Sequence, residues 1–168
     1  MTVAGLSFRA LEQADLPFLL HLYSSTRADE MSHSGWPADE IAAFLAMQFN
    51  AQHQYYQAHY ADAEFWVIEK GGQPIGRLYL FWGPATLHIV DIALLPAFCG
   101  QGLGTALVED LLRRADARGL ACELSVESYN PAQRLYARLG FEHIGDSGVY
   151  LRLRRAAGAQ STPIAEAL

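Results

Sequence analysis

Cysteine is scarce in this chain. Cys99 and Cys122 are the only two in 168 residues, too few for a disulfide framework, and both are read as free thiols in a reducing compartment. No stretch approaches the ~20 apolar residues that a membrane span requires. The N-terminus, MTVAGLSFRALEQADL, lacks the basic region followed by an apolar run that marks a signal peptide. The expectation is a soluble, cytoplasmic protein without a membrane partner. Basic charge is in deficit too: 12 Lys and Arg stand against 18 Asp and Glu, a net charge of -6 with a pI near 5.4. Nothing is left over to neutralise a polyphosphate backbone, which argues against nucleic-acid binding. Internal repeats and low-complexity tracts are missing as well. His21, His33, His53, His59, His88 and His143 show no ligand spacing with Asp or Cys, so no metal is expected.

The chain is rich in what builds a core: 51% of it is hydrophobic and 11% aromatic. That suffices for one domain, placed at 1–155, and is too little for two. A small, polar tail, AAGAQSTPIAEAL at 156–168, is expected to be flexible. LSFRAL (6–11) has strand character, and Leu16, Leu19, Leu20 and Tyr23 recur at helical spacing. A polar break at 29–36 reads as a loop, followed by a long amphipathic helix from Ala38 to Tyr60 entered through Pro37. EFWVIEK (64–70) and PIGRLYLFW (74–82) flank Gly71-Gly72-Gln73, which is hairpin chemistry. TLHIVDIALL (86–95) completes an antiparallel meander.

Leu103, Leu107, Leu111 and Ala115 then share one face of a helix capped by Gly119. ACELSVE (121–127) follows as a strand parallel to 86–95, because a helix carries the chain back over the sheet. A short helix (132–138) and a closing hairpin, FEHIG with GVYLRLR, end the fold. The predicted class is mixed α/β (α+β): a mainly antiparallel sheet of six to seven strands with about four helices, ordered β-α-α-β-β-β-α-β-α-β-β.

The stretch LLPAFCGQGLGTALVEDLL (94–112) spaces glycines at 100, 102 and 104 between a strand and a helix. A Walker loop is excluded because no GK[ST] follows, and neither glycine count fits the dinucleotide pattern G-x-G-x-x-G/A. A bend at Pro96, consecutive N–H groups and a helix N-terminus remain, a geometry that suits a pyrophosphate. The alternative is that the glycines only close a tight turn.

Together with a second stretch, SYNPAQRLYARLGF (128–141), this motif resembles the GCN5-related N-acetyltransferase (GNAT) superfamily. The signature register is Cys99-Gly100-Gln101-Gly102-Leu103-Gly104, with Cys99 where Arg or Gln is usual, and the resemblance covers about residues 5 to 154. It implies acetyl transfer from acetyl-CoA to a primary amine of a small molecule or a peptide, by direct transfer in a ternary complex. It implies a cofactor site at Ala93, Leu94, Leu95, Cys99, Gly100, Gln101, Gly102, Gly104, Thr105, Asn130 and Tyr136. Asn130 stands one residue closer to the helix than in many members.

Such a reaction needs an uncharged amine, a polarised carbonyl and a proton for the departing thiolate. Tyr136 stands at the family's position for that acid; its alternative reading is a core aromatic. The position of a family carboxylate base, eleven residues before the signature, falls on His88, whose imidazole would accept a proton from the ammonium directly or through water. Asp91, Glu127 or water compete for that role, and His88 reads equally as a strand histidine without a task. A thiol nucleophile at Cys99 would need an oriented histidine that no local signature supplies.

The resemblance places the acceptor near the N-terminal helices and the closing hairpin, making Asp29, Glu30, Trp36, Gln48, Gln52, Tyr55 and Tyr79 candidates. Core packing is the alternative for the aromatics. A non-catalytic acyl-CoA sensor is the alternative function, and a homodimer through the hairpin or the last strand is a further expectation.

Overall fold

The computed structural model of the chain describes residues 3–159. The elements run β1 (Leu6–Ala10), α1 (Leu16–Ser25), α2 (Ala28–Ser32), α3 (Ala38–His59), β2 (Glu64–Lys70), β3 (Gln73–Trp82), β4 (Thr86–Leu94), α4 (Leu103–Ala117), β5 (Ala121–Glu127), α5 (Gln133–Arg138), β6 (Glu142–Ser147) and β7 (Tyr150–Arg155). One seven-stranded sheet has the order β1-β2-β3-β4-β5-β7-β6. It is mixed: β4 and β5 run parallel, whereas β1/β2, β5/β7 and β6/β7 are antiparallel. This is the expected class. One element differs from the expectation, because α2 occupies half of the stretch read as a loop. Ser32 Oγ donates to the Asp29 carbonyl at 2.7 Å and Met31 packs on the helical core, local support that a polar sequence conceals.

The described chain groups into two compact units. One holds Ala4–Tyr79 and Asp91–Gln101; the other holds Val3, Leu80–Val90 and the chain from Gly102 onward.

In the first unit, α1 packs on α3 through Leu19, Tyr23, Leu45 and Phe49, with Leu11, Leu16, Phe18, Ile41 and Phe44 around them. Each such side chain fully withdrawn from water contributes about 1.5–3 kcal/mol. Arg9 on β1 fastens the start of α1. Its Nη1 and Nη2 donate to Asp15 at 2.8 and 2.7 Å, and its Nε donates to Glu69 at 3.2 Å. The Arg9 hydrogen bond holds the Asp15 carboxyl below the usual carboxylate range. Gly71 and Gly72, at φ 58° and 81°, supply the two left-handed residues that a two-residue hairpin turn requires.

In the second unit, α4 buries Leu107, Val108, Leu111, Leu112 and Ala115. It stops at Gly119, where Leu120 N–H donates to the Ala115 carbonyl at 2.8 Å and Gly119 N–H to Asp116 at 3.0 Å, a Schellman cap. β7 inserts between β5 and β6, with Leu124 opposite Leu153 and Val126 opposite Leu151. The buried Arg155 ties the end of this unit together: Nε donates to the Leu139 carbonyl at 2.9 Å, Nη1 and Nη2 to Asp116 at 2.8 and 3.1 Å, and Nη2 also to the Ala159 carbonyl. Gly158 N–H adds a bond to Asp116 at 2.8 Å, so the first residues of the tail are held in place. The remaining tail, 160–168, lies outside the described residues.

Candidate active site

The loop between β4 and α4 begins where Leu95 N–H donates to the Ile75 carbonyl at 2.8 Å. A 3-10 turn at Pro96–Phe98 follows, then Cys99 in extended conformation, and Gly102 caps α4 at φ 80°. Gly100, at φ 74°, and Gly102 sit in the left-handed region that other residues avoid, so the turn itself needs both.

Gly104 differs. It lies in the first turn of α4, where the backbone makes no such demand and glycine costs about 1 kcal/mol relative to alanine. A β-carbon built at 100, 102 or 104 would meet nothing within 4 Å. The protein's own packing therefore does not account for Gly104, whereas a ligand resting on the loop would.

Hydrogen bonding gives the same indication. Phe98, Cys99 and Ala106 N–H groups donate to the carbonyls of Leu95, Pro96 and Gly102, but among the described residues those from Gly100 to Thr105 donate to no carbonyl or side chain. Six consecutive donors without a protein acceptor at a helix N-terminus are the kind of group an anion accepts from. The side chains stay out of it: Gln101 Nε2 folds back onto the Ala97 carbonyl at 2.8 Å, and Cys99 Sγ lies against the carbonyls of Leu94 and Leu95 at 3.6 and 3.5 Å. Cys122, the other cysteine, is buried, and burial pushes its thiol up to about 12.

Upstream, Gly76 on β3 lets β4 approach closely. A β-carbon there would stand 2.3 Å from the Ala93 carbonyl oxygen and 2.8 Å from Leu94 Cδ2. The backbone assigned to a ligand at Ala93–Leu95 is thus placed by a glycine the sequence reading overlooked. β4 pairs with β5 only from Thr86 to Ile89, although it runs on to Leu94.

The residues proposed for proton transfer are all engaged. Tyr136 is buried on α5 with its ring 5.6 Å from Phe141. His88 stands opposite Glu123, its Nδ1 3.7 Å from that carboxylate, and Glu123 also accepts from Arg154 at 2.8 Å. Arg154 in turn faces Glu142, so His88 stands at the end of a cross-strand row formed by Glu123, Arg154 and Glu142. Glu127 accepts from Asn130 Nδ2 at 3.1 Å, while Asn130 Oδ1 takes the Ala132 N–H at 2.9 Å. Asn130 thereby shapes the turn that opens α5.

Asp91 belongs to a cluster that sequence reasoning did not assemble. Its Oδ2 accepts from Arg77 Nη2 and from the Tyr56 hydroxyl at 3.3 Å, and the same Nη2 donates to Gln52 at 2.9 Å. Burial, the largest influence on Arg77, works to lower its pKa, but Asp91, Tyr79 and Tyr56 outweigh it and the net direction is upward. Arg77 Nε and the Tyr79 hydroxyl have no hydrogen-bond partner. The available signal was Arg77 itself, a charge inside the apolar run PIGRLYLFW.

Of the acceptor candidates, Tyr79 is only 1% exposed and packs against Phe65 and Tyr56 at 4.7 and 5.7 Å. Gln48 receives the Tyr23 hydroxyl at 3.4 Å. Asp29 and Glu30 on α2, Trp36 before α3 and Tyr55 on α3 are exposed. No group of three or more metal-ligating side chains occurs among the described residues, and no described helix is long and apolar enough to cross a membrane.

Comparison with known proteins converges on one family. A protein of Bacillus subtilis provisionally named as a ribosomal protein bS18-alanine N-acetyltransferase is 35% identical over 83 residues, 48% of this chain and 54% of that one. The chain thus spans about half the length of that relative. An N-alpha-acetyltransferase of Sulfurisphaera tokodaii is 29% identical over 117 residues, 60% of this chain and 70% of that one. In fold, the chain resembles the PaiA N-acetyltransferase of Thermoplasma acidophilum, crystallised with coenzyme A: the TM-score is 0.66 at 16% identity, covering 90% of this chain and 98% of that one. Residues 26–141, which include the glycine loop and α5, match the acetyltransferase (GNAT) family. The glycine-opened strand-to-helix loop stands on the sheet architecture of that family, and the chain belongs to it.

Proposed function

We propose that the protein transfers an acetyl group from acetyl-CoA to a primary amine of a small molecule or polypeptide, by direct transfer in a ternary complex on a single domain at 1–155. The observation that carries this reading is the run of six unpartnered N–H groups from Gly100 to Thr105 beneath open space at Gly104. A pyrophosphate would accept from those donors with no basic side chain needed, which suits a chain short of Lys and Arg. Bound acetyl-CoA supplies the activated thioester.

The other residues have assigned tasks. The backbone at Ala93–Leu95 would hold the pantetheine arm. Tyr136 would give its phenolic proton to the departing thiolate, and His88, Asp91, Glu127 or water would take the proton from the acceptor ammonium. Asp29, Glu30, Trp36 and Tyr55 would meet a cationic acceptor, while Tyr79 stays in the core against Tyr56 and Phe65.

A second reading, an acyl-CoA sensor without turnover, draws on the engagement of every candidate base: His88 beside Glu123, Asp91 with Arg77, Glu127 with Asn130. A thermal-shift titration with acetyl-CoA, CoA and NAD, followed by thiol release with a panel of amines, separates the two. Stabilisation by both CoA species but not by NAD supports the cradle, and thiol release then supports the enzyme over the sensor. Gly104→Ala should raise intrinsic stability by about 1 kcal/mol while weakening the CoA shift. An unchanged CoA shift in that variant would remove the cradle reading.

A further inference from the structure

α3 carries two apolar faces, and only one of them is covered. Leu45 and Phe49 are buried against α1. Phe44, half-buried at the edge of that core, begins a second stripe that Met47, Ala51, Tyr55 and Ala58 continue at spacings of three and four, about 21 Å in all. Trp36, from the segment before the helix, extends this stripe with its ring 5.3 Å from Phe44 and edge-on to it. Met47 is 61% exposed, Tyr55 51% and Trp36 48%. An apolar stripe of this kind left to solvent marks an interaction surface.

Charge identifies the occupant. Residues 28–69 hold Asp29, Glu30, Asp39, Glu40, Asp62, Glu64 and Glu69, with no Lys or Arg. Asp29, Glu30, Asp39 and Glu40, in the first turns of α2 and α3, are exposed and have no ion-pair partner among the described residues. The helix dipole accounts for acids in first turns. It does not account for the missing countercharge or for the apolar stripe beside them.

A second copy bound about a two-fold axis through this face would set residues 28–69, with seven carboxylates and no Lys or Arg, against the same stretch of its partner. Nucleic acid or an anionic bilayer would be repelled. A small polyamine matches the charge but has no apolar side chains for Trp36, Met47 and Tyr55. An extended polypeptide of about six residues spans the stripe and can supply both kinds of contact.

We propose that the outer stripe of α3, with the carboxylates at its N-terminal end, docks a polypeptide rich in Arg and Lys with apolar residues interspersed. Docking is independent of acetyl transfer; that the docked chain carries the acceptor amine rests on the function proposed above.

Isothermal titration of the full chain with an N-acetylated, C-amidated peptide of alternating arginine and leucine tests this, since the peptide has no amine to acetylate. The affinity should fall about tenfold in Glu30→Gln/Asp39→Asn/Glu40→Gln, and similarly in Met47→Ser/Tyr55→Ser. It should hold in Glu109→Gln/Glu142→Gln/Asp146→Asn, which removes the same charge elsewhere. Circular dichroism checks that each variant is folded. No binding, equal loss in the two charge variants, or equally effective displacement of the peptide by spermidine would overturn the proposal. Peptide binding without a CoA thermal shift would leave docking standing and remove the transfer reading instead.

Discussion

Each of the two units buries one arginine beside an aspartate, and the two are equipped differently. Arg155 is 5% exposed and uses Nε, Nη1 and Nη2, meeting Asp116 and the carbonyls of Leu139 and Ala159. Arg77 is 4% exposed and relies on Nη2 alone, for Asp91 and Gln52, leaving Nε without a partner next to the unpartnered Tyr79 hydroxyl. A fully satisfied buried charge clamps the chain it touches. A half-satisfied one carries desolvation cost without full return, the kind of local conflict that accompanies a working region more often than a purely structural one.

The largest test of this contrast is to remove each guanidinium. Arg155→Met should cost about 3–5 kcal/mol in denaturant unfolding, because Asp116 and two carbonyls lose their donor at once. Arg77→Met should cost less, about 1–3 kcal/mol, since Asp91 keeps the Tyr56 hydroxyl and the orphaned Nε goes with the side chain. Equal losses would erase the distinction.

Acid sharpens it. Hydrogen bonds from Arg155 and Arg9 hold Asp116 and Asp15 below the usual carboxylate range. Carboxyls with lowered pKa contribute stability that is fully present above the unfolded value near ~4 and lost as pH falls through the folded one. Unfolding midpoints measured from pH 6 to pH 2.5 should therefore drop on the acid side, and the drop should be shallower in Arg155→Met. A parallel profile in that variant would mean that the Arg155 pair contributes nothing at neutral pH.

The smallest effect belongs to Tyr79→Phe. Burial pushes its phenol up to about 12, and its hydroxyl makes no full hydrogen bond, only a weak polar contact with the Arg77 guanidinium. The variant should match the parent or gain up to about 1 kcal/mol. A loss beyond that, read in the same denaturant titration, would reveal a hydrogen bond the hydroxyl makes in solution.

Much of the fold was legible along the chain. The β-rich run EFWVIEK and the strand ACELSVE placed β2 and β5 at their observed bounds, and Gly71-Gly72 marked the turn between β2 and β3 because only glycine takes two left-handed conformations in succession cheaply. α2 was not legible, since five polar-rich residues carry no periodicity and need tertiary support. The insertion of β7 beside β5 was hidden for a different reason. A closing hairpin announces that its two strands pair, but not which of them meets the sheet.

At the candidate site, the glycine positions and the donor-rich turn could be read directly, whereas the engagements of His88 with Glu123 and of Asp91 with Arg77 could not. The sequence by itself determined what depends on near neighbours: the periodicities of strands and helices, the left-handed turns at Gly100 and Gly102, and the deficit of Lys and Arg. Tertiary structure alone decided which distant groups meet, Arg77 with Asp91 and Arg155 with Asp116. Strand register and helix packing set those distances, and a one-residue slip of β3, β4 or β7 would turn Arg77, Asp91 or Arg155 to the opposite face of the sheet.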